Sequence, residues 1–224
     1  MFNFSISPEI FEKLAELKVG VIVAYGVEQE HLSGDILEKI HREQERLRNE
    51  LAKYDSYKDF PVVKAWHETF RKLGINPKKY PPAIENLIRI AAKGINLSFI
   101  NPIVDLENYI ALKYLLPVGG QDLAGVKGNI RLEILKTSLP FRALGKEESK
   151  MVNAQIPVYR DDEKILCIAL NSKDCEEAKF TRESKDVVIF VESIEEENIL
   201  KKALEELRNK LQEVAGKVEM RVFK

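Results

Sequence analysis

Hydrophobic and polar positions alternate along this chain in two distinct periods. Val19-Gly20-Val21-Ile22-Val23-Ala24-Tyr25 is short, apolar and rich in β-branched residues, which predicts a buried strand. Ile36, Leu37, Ile40, Leu47 and Leu51 then share one stripe of a 3.6-residue period, with Arg and Glu as a solvated face. Asp35 followed by Glu38 has the spacing of a helix start. Pro61 to Leu73 predicts another helix, with proline in its first turn and Gly74 just past its last. Ala83 to Lys93 predicts one more, with Ile84, Leu87, Ile88 and Ala91 on one stripe and Gly94 at its end. Pro77, Pro81 and Pro82 punctuate the loop between these two helices.

Asn101-Pro102 joins a good N-cap residue to an N1 proline. From Pro102 to Leu116 the segment is apolar nearly all round, so this helix is expected to be buried. Its polar exceptions Asn101, Asp105 and Asn108 recur at i, i+4 and i+7 and share a face. Each such group left unpaired in a core costs about 1–3 kcal/mol, so the stripe is either braced internally or faces a wet pocket. Past Pro117 to Asp122, read as a loop, the period changes to two. Asn129 to Lys136 alternates cleanly, and Ile156–Tyr159 and Ile165–Leu170 flank a turn at Asp161-Asp162-Glu163. Val187 to Val191 predicts a further buried strand. Ser193 with Glu196 then forms a capping box for a last helix carrying Leu200, Ala203, Leu204, Leu207 and Leu211. Val218 to Phe223 predicts a closing strand. No repeat or composition break marks a linker, so one α+β domain is expected, with a mixed β core and flanking helices.

Charge adds little to this picture: 35 basic and 36 acidic residues nearly cancel, so nucleic-acid contact depends on a local patch. No apolar run is long enough to span a bilayer, and Met1 to Pro8 lacks the features of a secretory signal. Cys167 and Cys175 form no C-x-x-C pair and read as one core and one loop thiol, with the cytoplasm as compartment. His31, His41 and His67 stand apart, the last two as ordinary surface residues, and no zinc, dinucleotide or P-loop spacing occurs. No metal and no cofactor are expected, and neither DNA nor a membrane is an expected partner; the oligomeric state is left open.

Several blocks between Trp66 and about Val191 come in a recognisable order. They are Phe70-Arg71-Lys72-Leu73-Gly74-Ile75-Asn76-Pro77, Asn101-Pro102-Ile103-Val104-Asp105-Leu106-Glu107-Asn108-Tyr109, Leu116-Pro117-Val118-Gly119-Gly120-Gln121-Asp122, Gly128-Asn129-Ile130-Arg131-Leu132 and Asn171-Ser172-Lys173-Asp174. In this the chain resembles the B3/B4 family, the type of the editing domain in phenylalanyl-tRNA synthetase beta subunits. It is closer to the freestanding members than to the embedded domain. The resemblance implies a trans-acting hydrolase that removes a wrong amino acid from tRNA by water attack on the ester, with mischarged aminoacyl-tRNA as partner. Gly119 stands where the bacterial synthetase motif has histidine. The synthetase's glutamate falls somewhere in Asp174 to Glu177.

Ester hydrolysis needs a placed water, donors for the developing oxyanion and a grip on the α-ammonium group. The residues expected at the reacting centre are Asp105, Asn108, Gly119 and Gly120. Asn101, Asp122, Asn171 and Asp174 are expected to hold substrate. Plain alternatives stand beside each: a turn at Gly119-Gly120, a helix cap at Asn101, internal bracing at Asp105 and Asn108, and a loop turn at Asn171 and Asp174. With no histidine at Gly119, the neighbouring ribose hydroxyl is a candidate to assist the water. Arg71, Lys72, Lys78, Lys79, Arg89, Lys93 and Lys113 form either a basic rim for tRNA or separate solvated helix faces. A non-catalytic module binding tRNA, an amino acid or a protein is the second reading, and a small-molecule hydrolase the third.

Overall fold

The computed structural model describes residues 3–32, 34–170, 172–195 and 197–224. In chain order its elements are β1 (Phe4–Ile6), α1 (Pro8–Lys13), β2 (Lys18–Tyr25), α2 (Ile36–Leu51), α3 (Pro61–Lys72), α4 (Ala83–Ala92), α5 (Pro102–Tyr114), β3 (Val118–Asp122), β4 (Ile130–Ile134), β5 (Leu139–Phe141), β6 (Lys150–Val152), β7 (Pro157–Arg160), β8 (Ile165–Ile168), β9 (Lys173–Asp174), β10 (Val187–Ser193), α6 (Glu197–Gln212) and β11 (Lys217–Phe223). The fold is α+β, as the periods predict.

Two sheets carry the core. One has the order β11-β2-β10-β3 and is antiparallel throughout; the other, β1-β4-β7-β8-β9, is mixed because β1 runs parallel to β4. Strand alternation assigns the faces of the first sheet. Gly20, Val191 and Val222 share a side, and Leu204 of α6 lies where a Cβ on Gly20 would sit, so this side takes the helices. Val21, Phe190 and Arg221 point the other way, towards the second sheet. There Phe4, Tyr159, Phe190 and Phe223 close the interface, with Phe4 and Phe223 meeting edge-on at 4.9 Å between centroids. The buried Tyr159 hydroxyl donates to Glu192 Oε1 at 2.8 Å across this layer.

Helix α5 packs against α2, α4, α6 and β3, which is why it is apolar on nearly every side. Asn101 Oδ1 accepts from the Val104 amide at 3.0 Å and caps it, while Leu115, left-handed at φ 56°, ends it before the expected Leu116. Among the other expectations, Asp35 makes no side-chain cap to α2 and instead pairs with Lys39 at 2.8 Å. The Ser193–Glu196 capping box involves Glu196, which lies outside the described residues. The segment Val118–Asp122 is a strand, not a loop, because pairing with β10 organises a sequence whose two glycines carry no strand propensity. Cys175, which lies just past β9, is buried like Cys167. His41 and His67 are not surface residues: they are half-buried, with Nε2 at 2.9 Å from the Leu97 carbonyl and 2.7 Å from Glu85 Oε2.

Candidate functional site

The open edges of the two sheets meet. β3 closes one end of the first sheet and β9 one end of the second, and Gln121 Nε2 bridges them by donating to Asp174 Oδ1 at 3.1 Å. Gln121 and Gly119 point towards the second sheet, whereas Gly120 points to the helical side. There Glu107 of α5 brings Oε1 to 2.8 Å from the position a Gly120 Cβ would take, with Phe180 Cζ at 2.7 Å and the Val188 carbonyl oxygen also close. Only glycine fits this approach. The Asp122 amide leaves the sheet edge to donate to the Ala178 carbonyl at 2.9 Å. Ladder alternation therefore aims the Gly120 N–H at the same edge.

Two carboxyls converge here with shifted acidities. Glu107 is buried, its Oε1 has no hydrogen-bond partner among the described residues, and burial with Asp174 nearby raises its pKa well above the usual range. Burial raises Asp174 to about 6, against the opposing hydrogen bonds from Cys167 and Gln121. Cys167 itself is a buried thiol pushed well up by desolvation, and its Sγ lies 2.8 Å from the Leu170 carbonyl. Ala169 and Leu170, which precede this site, are both left-handed at φ 55° and 59°. Neither is glycine, so the backbone stores strain next to the carboxyl pair.

The expected site residues are not all gathered at this joint. Gly119, Gly120 and Asp174 lie in the strands that form it. Asn101 is spent as the α5 cap; Asp105 Oδ1 accepts from the Ile100 amide at 3.2 Å, and its Oδ2 is buried without a partner among the described residues. Asn108 is half-buried on the same face as Asp105, whereas Glu107, a residue away, is the one that reaches Gly120. The polar stripe of α5 and the diglycine backbone thus serve different places. Asp122 spends one oxygen on the Ala124 amide at 2.9 Å and the other on the Ser184 hydroxyl at 2.5 Å. Asn171 lies outside the described residues.

The expected basic rim disperses. Lys113 Nζ is held 2.7 Å from Glu206 Oε2 and 3.1 Å from the Tyr109 hydroxyl; those partners raise its pKa against desolvation, and it fastens α5 to α6. Lys72 pairs with Glu16 at 2.6 Å, and Arg89 donates to Asn86 in its own helix at 3.3 Å. Arg71 belongs to α3, Lys93 follows α4 as its C-cap, and Lys78 is exposed beside Lys79. Lys79 does line an open groove, together with lysines from later in the chain.

Glu107 escaped the sequence reading although it carried a signal. Val104, Ile103, Ile110 and Ala111, its neighbours three and four residues away, are all apolar, so no cation on its own helix answers its charge. Among the described residues no group of three or more His, Cys, Asp or Glu is placed to hold a metal ion, and no helix is long and apolar enough to cross a membrane.

Comparison with known proteins places this geometry. The family model described as the B3/4 domain matches residues 65–211. The chain is 31% identical over 117 residues to the phenylalanine–tRNA ligase beta subunit of Fusobacterium nucleatum, covering 52% of this chain and 14% of that protein. It is 33% identical over 90 residues to the same subunit of Vibrio parahaemolyticus, covering 40% of this chain and 11% of the relative. An N-terminal fragment of the phenylalanyl-tRNA synthetase beta subunit from Pyrococcus horikoshii shares the fold, with a TM-score of 0.51 at 10% identity, over 98% of this chain and 50% of the fragment. The match spans the joint of the two sheet edges, its carboxyl pair and its strained turn, and the chain belongs to the B3/4 domain family.

Proposed function

We propose that this chain hydrolyses the ester of mischarged aminoacyl-tRNA, acting in trans. The observation that carries the reading is the meeting of Asp174, Glu107 and the edge-facing Gly120 amide at one joint. A carboxyl with a pKa near 6 is mostly ionised at neutral pH, yet basic enough to take a proton from an attacking water. Gly120 N–H is the donor for the oxyanion that forms on the ester carbonyl. Glu107, whose pKa burial raises, stands beside it and is a second donor in its protonated form. This assigns Asp174 the base role in place of the α5 stripe.

A panel of mischarged tRNAs incubated with wild type, Asp174→Asn and Glu107→Gln tests it. Release of at least one amino acid, slowed about 100-fold by Asp174→Asn, is the expected result. The same panel on tRNA ending in 2′- or 3′-deoxyadenosine decides whether a ribose hydroxyl assists the water. A second reading, a non-catalytic binding module, draws on the close packing of Phe180 and Glu107 against Gly120. Binding of tRNA by folded protein without release of any amino acid would favour it.

A further inference from the structure

An open hollow lies on the far side of β9 from the carboxyl pair. Lys173 and Asp174 are successive residues of that strand, so their side chains leave by opposite faces. Asp174 turns inward to Gln121, while Lys173 and its cross-strand partner Ile168 line an open groove of about 710 Å³. The loop from Ala143 to Lys150 and strand β6 supply its other wall.

The groove has two contrasting surfaces. Lys79, Lys146, Lys150 and Lys173 stand around it, against two glutamates, Glu147 and Glu148. Among the described residues none of these four lysines makes an ion pair, whereas Lys72 and Lys113 of the expected rim do. Two of them are drawn to one ring: the Lys79 and Lys173 ammoniums lie 5.0 and 5.4 Å from the centroid of Tyr80. Converging like charges repel, the two glutamates balance only half of the four lysines, and an anion bound between Lys79 and Lys173 relieves the repulsion. The floor is apolar: Phe141, Ala143, Met151, Val152 and Ile168, with Met151 62% exposed. The net charge of −1 gives the rest of the molecule no general affinity for anions, so this local excess of lysine is selective.

We propose that the groove binds a nucleoside phosphate, its phosphate held by Lys79 and Lys173 beside Tyr80 and its base laid against the exposed Met151 of the apolar lining. Bare phosphate would leave the floor uncovered, and a neutral aromatic ligand would leave the lysines unanswered. The same chemistry is offered by a free nucleotide and by the end of a single RNA strand. The inference goes beyond the hydrolytic reading and does not depend on it.

Isothermal titration of the full chain with inorganic phosphate, AMP and a single-stranded RNA tetranucleotide tests it. AMP or the RNA is expected to bind at least about tenfold more tightly than phosphate. The double variant Lys79→Ala/Lys173→Ala should lose about tenfold in affinity for the bound probe. Met151→Ala, which removes apolar surface without adding charge, should weaken the nucleotide probes while leaving phosphate unchanged. Both variants alter the groove surface, and an unchanged thermal melt confirms that they fold. A preference for RNA that weakens steeply with salt assigns the groove to a strand end; equal affinity for AMP assigns it to a free nucleotide. Phosphate binding as tightly as AMP, variants binding like wild type, or no binding of either nucleotide probe at ~1 mM overturns the proposal. Hydrolysis of mischarged tRNA reports on Asp174 separately, so either reading can fail alone.

Discussion

Asp174 and Glu107 reverse the usual relation between a carboxyl and folding. Their pKa values are raised in the folded protein, so the native state holds protons that the unfolded chain releases. For Asp174 the favourable contribution is complete below the ordinary value of 3.8 and is lost as pH rises through about 6. Ionising it within the fold costs on the order of 3 kcal/mol at neutral pH. Asp174→Asn should therefore raise the melting temperature at pH 8 relative to wild type and flatten the decline between pH 4 and 7. Melting curves at those pH values check this, and an identical pH slope in both proteins would count against the buried-acid account. Gly120→Ala works in the opposite direction. Its Cβ would meet Phe180, Glu107 and the Val188 carbonyl, and the last is backbone with little room to yield. Urea unfolding should show a loss of about 1–3 kcal/mol.

Among the elements, those with strong internal patterns were legible in the chain and those made by partners were not. α2, α3, α4 and α6 follow their apolar stripes, and the Asp161 turn forms because that side chain accepts from the Glu163 and Lys164 amides at 2.8 and 2.7 Å. β1 is three residues long and exists through its pairing with β4. β3 reads as a loop until β10 lies beside it. The candidate site inherits this limit: Gly120 and Asp174 are visible as residues, but their meeting depends on two sheet edges that no local period encodes. The α5 stripe was legible as a polar face; that its first members brace the helix follows only from the Val104 and Ile100 amides. Asn101→Ala removes the α5 cap and should cost about 1 kcal/mol in chemical denaturation. Asn101→Asp, which keeps an acceptor at the helix start, should recover most of it.

For the molecule as a whole, the two sheets face each other across an aromatic layer. Phe4 touches Tyr159, Phe190 and Phe223, so a strand of three residues supplies a central aromatic of the interlayer core. Phe4→Ala should destabilise the fold by about 3–5 kcal/mol, an effect far larger than the length of β1 suggests. A thermal melt of that variant within a degree or so of wild type would show that the first strand is dispensable. The same layering explains how a chain with balanced charge keeps an acidic interior and a lysine-lined exterior close together: one thin strand is the partition between them.

That partition is two residues wide, and a slip by one position would turn each of its side chains to the other face. Lys173 would then point at Gln121 and Asp174 at the groove, and the Gln121–Asp174 hydrogen bond of 3.1 Å would break. Bonds on either side hold so short a strand in place: the Ser172 hydroxyl donates to the Pro81 carbonyl at 2.7 Å, and the Cys175 amide donates to the Leu166 carbonyl at 2.8 Å.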